Sequence, residues 1–409
     1  MLLKAEIEQA YQLQQVGLLD KKETTERNYL KNIDFRSSHI EVISGIRRCG
    51  KSTLMGQIMG QFGSNIAYFN FEDSRVFDFE VTDFQKLNEI MGNEREAYFF
   101  DEIQNVASWE VFIRQLHDKG KKVFITGSNA SLLSKELGTR LTGRHLRHEL
   151  FPFSYMEYLL HKKLENSLEA FESYVQKGGF PEFINFENQD ILQTLLKDIV
   201  LRDIAVRYGL KNIKTVMDIC LFLVSNIGKE CTYNSLKKAF SVGSANSVSD
   251  YLAWFEDSYL LFFLPRFSWS AKSITINPRK VYAIDNGLIQ ANSLSFTKDK
   301  GRLLENAVYL FLRQKYQSLF YFQEKNECDF IVFEKNQCKM VIQVCEEIHS
   351  DNKNREINGL VEAMTFFKLT EGYIITKNQS DLLLVNQTTI HLIPAWQFMA
   401  SEYKKPWID

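Results

Sequence analysis

Residues 45–52 read GIRRCGKS. A glycine, four residues and then Gly-Lys-Ser is the spacing of a phosphate-binding loop, and Gly45, Gly50, Lys51 and Ser52 meet it without substitution. The glycines let the backbone curl so that successive N–H groups point at phosphate oxygens. Lys51 adds a point charge at the β and γ phosphates, and Ser52 offers a hydroxyl to Mg²⁺. The predicted nucleotide contacts are Gly45, Ile46, Arg47, Arg48, Cys49, Gly50, Lys51, Ser52 and Thr53. A second group follows about 50 residues on, the interval such a loop calls for. In AYFFDEIQ (97–104), four apolar residues end in Asp101 and Glu102. Asp101 is placed to hold the Mg²⁺ shell, and Glu102 to orient or deprotonate an attacking water. KVFITGSN (122–129) is a further apolar run, ending in Ser128 and Asn129. These two can contact the γ phosphate or the water; a helix N-cap is the competing role. Arg140, Arg144 and Arg147 in GTRLTGRHLRH (138–148) are candidates to neutralise transition-state charge, in the same chain or a neighbour.

Those groups need a scaffold, and the intervening sequence supplies one. HIEVIS (39–44) suits a buried strand, and TLMGQIMGQF (53–62) has apolar residues at helical spacing. The helix N-terminus would then lend partial positive charge to phosphate. Residues 1–38 read as polar and helical. YFNFED (68–73) reads as a strand, and 81–92 as a helix capped by Thr82 or Asp83. Residues 108–120 read as a helix stopped by Gly120. Strands alternating with helices predict a parallel sheet with ligands at the strands' carboxyl ends. Beyond residue 150 the pattern turns helical through 212, broken by Gly178-Gly179 and Pro181. A helix (213–226), a helix–turn–helix and strand (230–265), and a strand at 281–285 follow. The last assigned elements are a helix (301–316) and strands at 319–322, 328–333 and 340–345.

At 409 residues the chain is long enough for two to four domains. A net charge of −2 gives no global field to recruit nucleic acid or anionic lipid, leaving only local patches. Six cysteines without a Cys-x-x-Cys pair read as reduced thiols of a cytoplasmic protein. Cys49 is either an oxidation-sensitive thiol or an inert loop position. The N-terminus turns charged too early for a signal peptide, and no apolar run approaches the length of a membrane span, so no membrane partner is expected.

GIRRCGKST, YFFDEIQNVASWE, FITGSNASLL and LTGRHLRHELFPFSYMEY resemble the bacterial and archaeal ATP-binding proteins of the AAA superfamily. The resemblance continues through GGFPEF (178–183), LKDIVLRDI (196–204), KVYAIDNGL (280–288) and RLLENAVYLFL (302–312), nearly the whole chain. It implies an α/β fold: a P-loop parallel-sheet ATPase core, then a helical and winged-helix region, then an α/β C-terminal domain resembling restriction endonucleases. The implied domains are 1–160, 161–212, 213–280 and 281–409. Gly143-Arg144 matches the Gly-Arg of the family, which makes Arg144 the preferred arginine finger, in cis or in a neighbouring subunit of a homo-oligomer.

Two parts depart from what their folds would need. The segment 232–265 fits helix, turn, helix and strand, with Ser244 as a cap for the second helix. That helix has no Lys or Arg and carries Asp250, Glu256 and Asp257, whereas DNA readers draw affinity from basic contacts. Lys237 and Lys238 precede it. In the C-terminal domain, Glu305 and Asp329 match the acidic positions of the nuclease pattern. Its acid-x-lysine positions hold Gln343 and Cys345, so the fixed positive charge is missing. The sequence thus predicts a Mg²⁺-dependent ATPase that couples hydrolysis to conformational change, possible DNA or RNA partners included. The alternatives are a nucleotide-gated nucleic-acid binder or scaffold, and an ATP-regulated nuclease.

Overall fold

The computed structural model describes residues 1–19, 24–92, 94–129, 141, 143–295 and 299–401. The chain divides into two compact units: residues 1–151 with 257–259, and residues 152–256 with 260–409.

The first unit contains α1 (Lys4–Leu19), β1 (Ile40–Ser44), α2 (Lys51–Met59), β2 (Ile66–Asn70), α3 (Asp83–Met91), β3 (Ala97–Asp101), α4 (Trp109–Asp118), β4 (Lys122–Gly127) and β5 (His145–Glu149). The five strands form one parallel sheet in the order β2-β3-β4-β1-β5. All five residues of β1 and of β3 are buried, as expected for central strands covered on both faces. Aromatic rings fill the core. Phe84 stacks on Phe112 with centroids 4.5 Å apart, and Phe99 on Phe124 at 4.8 Å. Contacts of this kind add about 0.5–1.5 kcal/mol each beyond the area they bury.

One charged group interrupts that core. Glu41, at the middle of the sheet, is fully buried. Its two oxygens meet Lys122 Nζ of β4 at 2.7 Å and His148 Nε2 of β5 at 2.5 Å. Lys122 also donates to the carbonyls of Asp34, Ser37 and His39, which anchors the chain entering β1. The expected side-chain cap of α3 is absent: Thr82 precedes the helix without such a bond. Asp83 instead turns its carboxylate to the Leu2 and Glu80 N–H groups and to Lys86.

The second unit opens with α5 (Tyr155–Lys162), α6 (Leu168–Lys177), α7 (Pro181–Phe186) and α8 (Gln189–Asp198). A π-helical stretch (Ile199–Val206) and α9 (Ile213–Val224) follow. Next come β6 (Glu230–Cys231), α10 (Tyr233–Ala239), α11 (Ala245–Asp257), β7 (Leu261–Pro265), α12 (Ala271–Ile276) and β8 (Arg279–Ala283). Ser244 caps α11 by accepting the Ser247 N–H at 3.0 Å. The three short strands form an antiparallel sheet ordered β6-β8-β7. After α13 (Asn286–Asn292) and α14 (Lys300–Lys315), a mixed six-stranded sheet is built from β9 (Ser318–Gln323), β10 (Glu327–Glu334), β11 (Gln337–Val344), β12 (Glu371–Thr376), β13 (Asp381–Val385) and β14 (Thr388–Pro394). Its order is β13-β14-β12-β11-β10-β9. Helix α15 (Lys353–Phe367) packs on it, and α16 (Ala395–Ala400) ends the described chain.

Candidate functional site

The phosphate loop leaves the carboxyl end of β1 and runs into α2. Two glycines are dictated by their surroundings. A Cβ on Gly45 would sit 2.1 Å from the Leu150 carbonyl oxygen. Gly50 has φ +100° and would bring a Cβ within 2.9 Å of Arg27. Arg27 is a buried arginine that sequence reasoning missed. It donates to the carbonyls of Cys49 and Phe151, both at 2.7 Å, and so braces the loop from beneath. Cys49 is fully buried with Sγ 3.4 Å from the Leu150 carbonyl oxygen, and burial pushes its thiol up. An inert loop position fits that surrounding and an oxidation sensor does not.

Lys51 begins α2 with its side chain buried. Its ammonium donates to the Gly45 and Ile46 carbonyls at 3.1 and 3.2 Å and lies 3.3 Å from Glu102 Oε1. Burial opposes its charge, but Glu102 and then Asp101 outweigh burial and raise its pKa. The reverse holds at Glu102. Burial alone would raise its pKa, but Lys51 and a bond from Gln104 hold the carboxyl low and therefore ionised.

Asp101 ends β3, so the sheet itself carries it to the loop. Burial and the adjacent Glu102 push its carboxyl up, against hydrogen bonds from Thr126 and Ser52. Tyr68 O–H also donates to it at 3.2 Å. Thr126 on β4 serves twice, donating to Asp101 and accepting the Glu102 N–H at 2.9 Å. The Ser52 hydroxyl and Asp101 carboxylate are thus hard oxygen donors in contact, a set that suits Mg²⁺.

Ser128 and Asn129 are buried just beyond β4. Gln104 Nε2 donates to Glu102 Oε2 and lies 3.3 Å from Ser128 Oγ. Any cap these residues make falls on residues 130–140, outside the described residues, as does Arg140. Arg47 is partly buried, pairs with Glu72 at 2.6 Å and is near enough to Glu102 to favour its charged form. Arg48, exposed with φ 63°, and Thr53 complete the loop and first turn.

Arg144 is not brought to this cluster. Its carbonyl accepts the Ile40 N–H at 2.9 Å, at the amino end of β1, and its guanidinium lies 3.6 Å from Asp118. Four residues of strand, roughly 13 Å, separate that edge of the sheet from the phosphate loop. Arg147 lies along β5 and donates to His145.

In the second unit, Glu305 and Asp329 are brought together around a lysine that does not belong to the acid-x-lysine positions, which Gln343 and Cys345 occupy. Lys280 of β8 lies 2.9 Å from Asp329, 2.6 Å from Glu327 and 3.5 Å from Glu305. Tyr282 O–H donates to Glu305 at 2.6 Å. Gln343 accepts the Asp329 N–H and donates to Glu356, and Asp329 accepts the Val344 N–H. Cys345 is buried, its thiol pushed up to about 12 by burial. The carboxylates close on the Lys280 ammonium. Among the described residues no three His, Cys, Asp or Glu side chains are arranged to hold a metal ion. A nuclease-type Mg²⁺ does not fit this arrangement.

Three of the other motifs of the resemblance pack together. Asp285 accepts the Gly179 and Leu288 N–H groups, and a Cβ on Gly178 would lie 2.2 Å from its carboxylate. Asn286 and Asn306 bond to each other and to the carbonyls of Val175, Leu303 and Ala283. GGFPEF, KVYAIDNGL and RLLENAVYLFL therefore interlock at one buried polar junction.

Residues 37–159 match the AAA domain family, and residues 168–299 match a domain of unknown function, DUF8612. The uncharacterised protein MJ1544 of Methanocaldococcus jannaschii is 34% identical over 93% of both chains. An uncharacterised protein of Haemophilus influenzae is 31% identical over 81% of this chain and 88% of its own. Among solved structures, PCH-2 of C. elegans is 13% identical, over 61% of this chain and 67% of its own, with a TM-score of 0.23. Cdc6p of Pyrobaculum aerophilum is 11% identical, over 71% and 97%, with a TM-score of 0.26. Likenesses that low add nothing to the fold described above. No helix among the described residues is long and apolar enough to cross a membrane.

Proposed function

Because this chain belongs to one family with MJ1544 and the Haemophilus influenzae protein, and carries an AAA domain over residues 37–159, we propose that it is a Mg²⁺-dependent ATPase coupling hydrolysis to conformational change. The observation that carries the reading is the junction of Lys51 and Glu102, 3.3 Å apart, beside the Ser52–Asp101 pair at the carboxyl ends of parallel strands.

The chemistry follows from those groups. The loop N–H groups and Lys51 bind the β and γ phosphates. Ser52 and Asp101 would hold Mg²⁺, which neutralises charge developing on the transferred phosphoryl group. A water oxygen bonds to the γ phosphorus as the bond from that phosphorus to the bridging oxygen breaks. ADP leaves with the electron pair, and the water's proton passes to the Glu102 carboxylate. Glu102 suits this role because it is buried yet held ionised. Ser128 and Asn129 are proposed to meet the γ phosphate or the water. Arg144 stands at the far edge of its own sheet, so we assign it to a neighbouring subunit's nucleotide in a cytoplasmic homo-oligomer.

We read residues 213–280 as a winged helix, on the order α9-β6-α10-α11-β7-α12 and the start of β8. The acidic, lysine-free face of α11 favours a packing role over base readout. Nuclease activity is disfavoured by Lys280, which fills the carboxylate set. The test is turnover of radiolabelled ATP by the full chain. Lys51→Ala should lose nucleotide binding, and Glu102→Gln should bind ATP without hydrolysing it. Hydrolysis unchanged in both variants would sink the assignment.

A further inference from the structure

Gln104 is part of the nucleotide site in a way the two phosphate motifs do not explain. It follows Glu102 by two residues, on the short 3₁₀ turn Ile103–Asn105 that leaves β3. Glu102 itself has a left-handed backbone, φ 50° and ψ 43°. That conformation costs a non-glycine residue about 1 kcal/mol or more. The turn folds the Gln104 side chain back over the Glu102 carboxylate.

The two ends of the Gln104 amide differ in their surroundings. The nitrogen donates to Glu102 Oε2 and lies 3.3 Å from Ser128 Oγ. The orientation of the amide follows from this, because the carboxylate offers only acceptors. The oxygen, Oε1, is therefore turned the other way. It is buried and has no hydrogen-bond partner among the described residues. A buried acceptor left without a donor costs about 1–3 kcal/mol. The unmet acceptor sits on the side chain that already grips the proposed general base. A water in reach of that oxygen would satisfy the amide.

We propose that Gln104 is a positioning residue for hydrolysis: its amide nitrogen fixes the Glu102 carboxylate, and its amide oxygen accepts a hydrogen bond from the attacking water. The inference rests on the ATPase reading of Lys51 and Glu102. It divides the work at the water. Glu102 receives the proton as the oxygen bonds to the γ phosphorus, and Gln104 sets where that oxygen stands. Ser128, beyond β4, keeps the amide from rotating away.

The experiment measures steady-state ATP hydrolysis, resolved into kcat and KM, by the full chain and by Gln104→Met, Gln104→Glu, Glu102→Gln and Lys51→Ala at neutral pH. Gln104→Met keeps the volume and removes both amide atoms. It should lower kcat about 100-fold, the scale of a misplaced reacting group, with KM within about threefold. Gln104→Glu keeps the length but loses the amide donor, so it should lose kcat to a similar degree with KM retained. Urea unfolding of each variant separates a folding defect: a kcat loss that tracks lost stability, or a KM that rises in step with the fall in kcat, overturns the proposal. So does a Gln104→Met protein with wild-type kcat while Lys51→Ala and Glu102→Gln are inactive, a result that leaves the ATPase reading standing. No turnover by the wild type, or equal turnover by all five proteins, overturns both.

Discussion

Replacing Glu305 with glutamine should make the second unit more stable at neutral pH and leave it nearly unchanged in acid. Glu305 is largely covered, its side chain 13% exposed, beside Asp329 and Glu327. Burial raises its carboxyl from the ordinary 4.5 to about 7, while Lys280 and the Tyr282 hydroxyl pull the other way. The folded form thus holds a proton, between about pH 4.5 and 7, that the unfolded chain has released. Stability contributed by this group is complete below the unfolded value and is lost as pH rises through the folded one. At about 1.4 kcal/mol per pH unit, a rise of that size amounts to at most about 3 kcal/mol. Glutamine keeps the shape and an acceptor for Tyr282 and carries no charge at any pH. The assay is urea unfolding at pH 4.5, 6, 7 and 8, followed by tryptophan fluorescence. The wild type and Glu305→Gln should coincide near pH 4.5, and the variant should lead by up to about 3 kcal/mol at pH 8. Burial also raises Asp285 to about 6, so the variant should retain a shallower slope of the same sign. A gap between the two proteins that is constant with pH, or that opens toward acid, would refute the reasoning.

Two further substitutions test the first unit. Glu41→Ala strands Lys122 in the sheet without its buried partner. It should cost about 3–5 kcal/mol, read as a lowered urea midpoint. Gly45→Ala forces a methyl group to within 2.1 Å of a backbone oxygen that cannot turn aside. The loop must then shift, so nucleotide affinity should fall at least about tenfold in a fluorescent-nucleotide titration, with the far-ultraviolet circular dichroism retained.

The parts of this molecule that were legible in sequence are those whose chemistry needs adjacent residues. The phosphate loop is contiguous, and Asp101 and Glu102 are delivered by one apolar strand. Gln104 was in plain view within AYFFDEIQ, but only its turned-back geometry marks it. Arg27 has partners 22 and 124 positions away, and Lys280 has partners 25 and 49 away. No local spacing rule reaches that far. Gln343 and Cys345 stand at the acid-x-lysine positions, and the positive charge beside Glu305 and Asp329 comes instead from Lys280 of another sheet. Arg144 was chosen on a local Gly-Arg pair, and strand register then set it at the opposite edge. The π-helical stretch follows α8 without a break in apolar spacing, and the strands after residue 345 alternate too weakly to separate from loop.

The 3.3 Å pairing of Lys51 with Glu102 also bears on how trap variants of this protein should be interpreted. Lys51 is paired with Glu102, so a triphosphate binding at the loop competes with a carboxylate for the same ammonium. Glu102→Gln removes that competitor along with the base. Its tighter hold on ATP would then begin before any turnover is prevented, in affinity for ADP as much as for ATP. An accumulated nucleotide complex of this variant therefore measures two changes at once.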